Sequence, residues 1–288
     1  MLWMVATGLC FVAVTGIVKH VGQGVPAPQA AFLRFLLGLV FLVPVLPALA
    51  RLRLPARTWR LVGLRGAVHT AAVILWFYAM TQIPIIEVTA MNYLAPIYVA
   101  AGAALLLGEP LAARRIAAIV AALAGAVIIL RPGFRELSPG HLAMIFTAIF
   151  FAASYLIAKR MSGEMSAGLV VAILSVTVTI GLAPFAYAVW VPPTAEQLVW
   201  LFLVALFATG GHYCMTRAFA VAPVTVTQPV TFLQLVWAAA LGAIAFAEPV
   251  DAFVIVGGGV IMAAVSYITW REAVLRRRLT LSAEATKL

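Results

Sequence analysis

The chain has 288 residues, of which 65% are hydrophobic and only 10% charged, with a formal net charge of +10. A soluble domain carries about 25% charged residues, so this composition cannot cover a core of this size in water. A soluble enzyme, a nucleic-acid-binding domain and a disordered chain are thereby excluded, and the solvent that remains is lipid.

Continuous apolar runs bounded by charge, Pro or Gly predict ten membrane helices, at 2–21, 28–50, 61–82, 85–107, 112–130, 140–159, 167–190, 197–219, 224–246 and 251–270. The runs do not alternate, which argues against barrel strands. The first run lacks a basic n-region and a small-residue cleavage site, so it reads as a membrane helix and not as a removed signal peptide. Cys10 and Cys214 both fall in apolar runs, a poor basis for a disulfide framework or a metal site. Residues 271–288 read as a basic, then polar, tail. With both termini in the cytoplasm, 14 Lys and Arg lie inside and 3 outside, while Arg34 and Arg65 lie within spans. That bias sets the orientation.

The chain also repeats. Gly108-Glu109-Pro110 follows the fourth predicted span and Ala247-Glu248-Pro249 the ninth, 139 residues later. At the same offset Pro84 meets Pro223, and with a one-residue shift Met4 meets Met144 and Lys19 meets Lys159. Two halves of five spans follow, at 1–135 and 136–270. Because five is odd, the second half is inverted, which places a substrate path near the midplane between halves. The expected fold is therefore an all-α membrane protein of ten transmembrane helices in two inverted five-helix repeats.

Together with this repeat and the ten spans, Phe32-Leu33-Arg34-Phe35 and Leu75-Trp76-Phe77-Tyr78-Ala79, with Pro84 close behind, resemble the drug/metabolite transporter superfamily, EamA-type. Within it the chain is similar to bacterial exporters of aromatic amino acids. Uptake relatives for S-adenosylmethionine or riboflavin share the signatures. The resemblance implies alternating access, with the first four helices of each half lining the path and the fifth and tenth outside.

Several side chains are candidates for the path. Thr89, Asn92 and Pro96 run at i, i+3 and i+7 on one helix face, and the repeat carries that face to Gln228 and Thr231. Amide and hydroxyl groups suit the amine and carboxylate of an amino acid. Trp76, Tyr93, Tyr155 and Trp237 flank the stripe and could stack on a ring. His212 is the candidate proton carrier, and Arg34 and Glu87 form a possible buried ion pair. Pro44, Pro47, Pro96, Pro184 and Pro229 are possible kinks or hinges. Ala113, Ala117, Ala121 and Gly125 predict a packing face. Glu109 and Glu248 are read as structural, each suited to the N-terminus of the helix that follows.

No facing Asp pair, Ser–His elbow or zinc motif is present, so the chain is read as a non-enzyme without metal or cofactor. Its partners are a small-molecule substrate and the lipid bilayer, as a monomer or weak dimer, with no nucleic acid. The functional expectation is export of aromatic and other neutral amino acids across the bacterial inner membrane. Uptake of S-adenosylmethionine, riboflavin or another metabolite is the alternative, and an intramembrane enzyme is the rival from a different class.

Overall fold

The computed structural model describes residues 2–107, 113–134, 136–161, 164–165, 167–221, 230 and 232–285. The elements are α1 (Leu2–Val21), α2 (Ala27–Gly38), a 3-10 segment (Leu39–Val45), α3 (Leu46–Ala50), α4 (Ala56–Gln82), α5 (Ile85–Asn92) and α6 (Leu94–Leu107). They continue with α7 (Ala113–Leu130), α8 (Pro139–Met161), α9 (Ala167–Ala188) and α10 (Ala195–Val221), then α11 (Phe232–Phe246) and α12 (Ala252–Ala285). Eight spans among the described residues are long and apolar enough to cross a membrane, and the shorter apolar helices Ile116–Leu130 and Leu233–Phe246 complete ten.

Proline accounts for most departures from uninterrupted helices. Pro44 cannot donate a backbone hydrogen bond, and the predicted span 28–50 tightens into the 3-10 segment around it. Pro96 likewise deprives the Asn92 carbonyl of its partner, and the predicted span 85–107 breaks at Tyr93 into α5 and α6. Pro84 forces Ile83 into an extended conformation (φ −129°, ψ 162°), which ends α4 and starts α5. Pro184 sits inside α9, which continues past it without a break. Pro229 lies outside the described residues. The predicted tail does not separate from the tenth span, because α12 runs on to Ala285.

The Ala247-Glu248-Pro249 motif is a helix stop. Ala247 adopts a left-handed conformation (φ 51°) after α11. The Glu248 N–H then bonds back to the Gly242 carbonyl at 3.0 Å, so the left-handed residue turns the chain back over the last turn of the helix. Pro249 keeps the helix from resuming. The first-half counterpart, Gly108-Glu109-Pro110, lies outside the described residues.

The helices pack with a pseudo-twofold pattern. α4 lies on α8 as α1 lies on α10, and α6 meets α8 as α11 meets α1. α7 pairs with α12, and α2 with α9, across the axis. Hydrogen bonds repeat the relation: Thr7 donates to the Gly211 carbonyl and Thr147 to the Ala72 carbonyl, each at 3.4 Å. Alpha7 and α12 meet backbone to backbone. A Cβ on Gly125 would stand 2.7 Å from the Gly257 oxygen, and one on Gly257 would stand 2.5 Å from the Gly125 oxygen. The buried face of α7 is Ala118, Ala122, Gly125, Ala126 and Ile129. Ala113, Ala117 and Ala121 are exposed, so the predicted packing stripe is one residue out of register except at Gly125.

Candidate functional site: an aromatic and histidine-lined interior

Two related clusters lie where the halves meet. On α4, His69 packs against Phe151 of α8, ring centroids 5.0 Å apart, and against Phe35 of α2 at 6.5 Å. On α10, His212 packs edge-on against Phe11 of α1 at 5.2 Å. Phe11 and Phe151 are 140 residues apart, the same shift that relates Lys19 to Lys159. Each half thus supplies one phenylalanine to a histidine of the other.

The first cluster extends in both directions. Tyr155 stacks on Phe151 at 6.0 Å and 13°, and Trp76 meets the same ring edge-on at 6.0 Å. The spacing explains the assembly: Arg65, His69 and Trp76 are four and seven residues apart on α4, while Phe151, Ser154 and Tyr155 share the facing side of α8. Ser154 Oγ lies 3.0 Å from His69 Nδ1 and orients the ring. Tyr155 keeps 46% of its surface open beside its stacking contact with Phe151. His212 is likewise exposed beside its contact with Phe11. Each thus carries open surface beside the ring it packs against. Arg34 joins the first cluster through Phe35, whose ring it covers at 4.1 Å and which meets His69.

Of the predicted path residues, Trp76, Tyr155 and His212 border this interior. Tyr93 stands at the break between α5 and α6 and is half-buried. Asn92 is the last residue of α5 and is half-buried. The predicted Thr89-Asn92-Pro96 face does not survive the break. Thr89 is buried and donates to the Ile85 carbonyl at 2.9 Å, while Pro96 is exposed. Trp237 on α11 is 37% exposed and lies outside the ring clusters. Gln228 and Thr231, the second-half counterparts, lie outside the described residues.

The Arg34–Glu87 pair is replaced by other contacts. Glu87 Oε2 lies 2.6 Å from His141 Nε2. The Ser138 N–H donates to His141 Nδ1 at 3.1 Å, which leaves the ring proton on Nε2, aimed at the carboxylate. Arg34 instead places its guanidinium 4.1 Å from the centre of the Phe35 ring, a cation–π contact. The separation follows from the α5 start: Glu87 sits in its first turn, beside the start of α8 that carries His141.

Glu248 does serve a helix N-terminus, but that of α5 and not of the helix that follows. It accepts from the Ile85 N–H at 2.8 Å and forms an ion pair with Lys19 at the end of α1. Asp251 caps α12 through the Phe253 N–H at 2.8 Å and pairs with Arg131 at the end of α7.

The sequence reading missed Phe11, Phe35, Arg65, Phe151 and His141 as site-forming residues. Phe11 and Phe151 carried a signal, since the repeat aligns them, but only packing shows that each meets a histidine.

Known proteins share this architecture. A family profile described as the EamA-like transporter family matches residues 1–131 and again 138–270. A riboflavin transporter of Vibrio cholerae is 27% identical over 286 residues, covering 96% of this chain and 95% of that one. An S-adenosylmethionine uptake transporter of Rickettsia prowazekii is 24% identical over 254 residues, 88% and 86% of the two chains. A pseudopaline exporter of Pseudomonas aeruginosa is 23% identical over 262 residues, 90% and 92%. A protein of known crystal structure superposes with a TM-score of 0.59 at 22% identity, covering 95% of this chain and 98% of that one. That likeness shows the shared fold.

Proposed function

The chain belongs to the EamA-like transporter family, and from that membership and the ring-lined interior we propose a secondary transporter of small aromatic metabolites that works by alternating access. Its two halves, 1–135 and 136–270, rearrange about the axis between them, with residues 271–288 as a basic cytoplasmic tail. The protein works as a monomer or weak dimer in a bacterial inner membrane, both termini inside, as the Lys and Arg distribution favours.

The observation that carries the substrate class is the cluster of Trp76, Phe151 and Tyr155 beside His69. Its faces offer offset and edge-on stacking to a planar ring. Export of aromatic amino acids is the first reading, because Asn92, Ser154 and the histidines supply polar partners for an amine and a carboxylate. Uptake of a flavin is the second, favoured by the riboflavin transporter that matches nearly the whole length of both chains.

Proteoliposomes with purified protein should carry labelled tryptophan or phenylalanine faster than protein-free vesicles, and Phe151→Ala should abolish the difference. Riboflavin carried with tryptophan excluded would install the second reading. A tag on either terminus should be inaccessible from outside intact cells, and external labelling without lysis would reverse the orientation.

A further inference from the structure

Arg34 stands inside the bundle without a carboxylate partner among the described residues. The acids that could serve it are engaged elsewhere: Glu87 meets His141, Glu164 takes the Thr58 hydroxyl, Glu248 holds Lys19 and Asp251 holds Arg131. An ionised guanidinium away from water is costly unless an anion or hydrogen-bond acceptors compensate it. The Phe35 ring that it covers packs edge-on against His69 at 6.5 Å, so the charge stands one ring away from the aromatic cluster.

The surrounding polar groups lean the same way. Trp76 Nε1–H and Arg65 Nε–H are buried donors with no protein acceptor among the described residues, and both lie on the α4 face that carries His69. Arg65 is anchored through Nη1 to the Val170 carbonyl at 2.9 Å, which fixes it in place while leaving Nε–H to another acceptor. An anchored cation, a second cation without a carboxylate partner and an indole N–H beside three aromatic rings are complementary to a flat molecule that carries negative charge.

We propose that this interior contains an oxyanion subsite, in which Arg34 holds the carboxylate or phosphate of the substrate while Phe151, Tyr155 and Trp76 take its ring. The inference rests on the transport reading for its biological sense, but it is a statement about binding. It restricts the substrate class to aromatic oxyanions: an aromatic amino acid qualifies through its carboxylate, and a neutral flavin does not.

The test is calorimetric titration of the purified full chain in detergent with indole-3-acetate and with its neutral isostere indole-3-acetamide. Charge-assisted bidentate bonding predicts that the acid binds about tenfold tighter or more. Arg34→Gln should bring the two probes to within about twofold, and Arg34→Lys, which keeps charge but loses the planar fork, should retain part of the preference. Equal binding of acid and amide to the unaltered protein overturns the subsite, and so does binding of neither. That comparison needs no variant, so a poorly folding Arg34→Gln would not rescue the proposal. An undiminished preference in folded Arg34→Gln overturns the role of Arg34. Displacement of indole-3-acetate by phenyl phosphate extends the subsite to phosphates, and its failure to displace confines the subsite to carboxylates. In proteoliposomes, selective binding of the acid without transport of any aromatic probe leaves the subsite standing and sinks the transport reading. Equal binding and equal transport of both probes does the reverse.

Discussion

Thr89 and Asn92 stand three residues apart on α5 and face different fates. The Thr89 hydroxyl is spent on its own helix, bonded to the Ile85 carbonyl, so Thr89→Val should transport at close to the unaltered rate. Asn92 terminates the helix at the Pro96-induced break, and its half-buried side chain stands beside that break. Asn92→Ala should slow uptake into proteoliposomes about tenfold if that amide contacts substrate, the scale expected for one unreplaced hydrogen bond in a dry site. Wild-type rates with correct insertion would mark it as helix glue. Trp76→Phe is a sharper probe, because it keeps a ring and removes only the indole N–H. A several-fold loss of indole-3-acetate affinity is expected, with unchanged thermal stability, since that N–H has no protein partner among the described residues. At this scale the sequence was only partly legible. Trp76, Tyr155 and His212 could be picked out as rings and polar groups within spans. That His69 would meet Phe151, and that Glu87 would turn to His141, depends on how helices distant in sequence rotate against one another, which no local spacing encodes.

Helix ends were the most readable elements, because their chemistry is local. Pro84 ends α4 through the conformation it imposes on Ile83, and Pro96 splits the fourth span through the donor it lacks. The acid of the second Glu-Pro motif was legible as a structural residue, while its true target was not: Glu248 reaches back to the start of α5 and to Lys19. Glu248→Gln keeps a side-chain acceptor for Ile85 and leaves Lys19 partly buried without its counter-ion. Breaking a fully buried pair costs about 3–5 kcal/mol; Lys19 keeps its bond to the Ile83 carbonyl, so a smaller loss is expected, read as a lower melting temperature in detergent, with Glu248→Ala lower still. The neighbouring Ala247 offers a change of opposite sign. An L-residue in the left-handed region costs roughly 1–2 kcal/mol, and the first half has glycine at the matching position, Gly108. Ala247→Gly should therefore raise the melting temperature, and a decrease would mean that the Ala247 methyl group contributes packing worth more than the strain.

For the whole molecule, the repeat was visible in a few matched residues, above all two Glu-Pro pairs in a chain with so little acid. The register of the interface was not. Ala121 looked like a packing residue and is exposed, whereas Ala122 is completely buried, because the α7 face is set by where Gly125 must meet Gly257. Ala122→Leu should reduce the yield of folded protein, and Ala121→Leu should not. The halves are also less separate than their sequence suggests. The most extensive helix pairs, α4 with α8, α1 with α10 and α7 with α12, all join one half to the other. This has a consequence for how the protein is made. A ribosome delivering roughly 5–20 residues each second releases α1 and α4 well before α8 and α10 exist. The first five helices must therefore wait in the bilayer with their main contact faces covered only by lipid or by helper proteins, and the Gly125 seam closes last, when α12 emerges. Biogenesis is then a docking of two inserted, half-finished bundles. Residues 1–135 expressed alone should be short-lived in cells, and co-expression of 136–288 as a separate chain should lengthen their lifetime and restore transport.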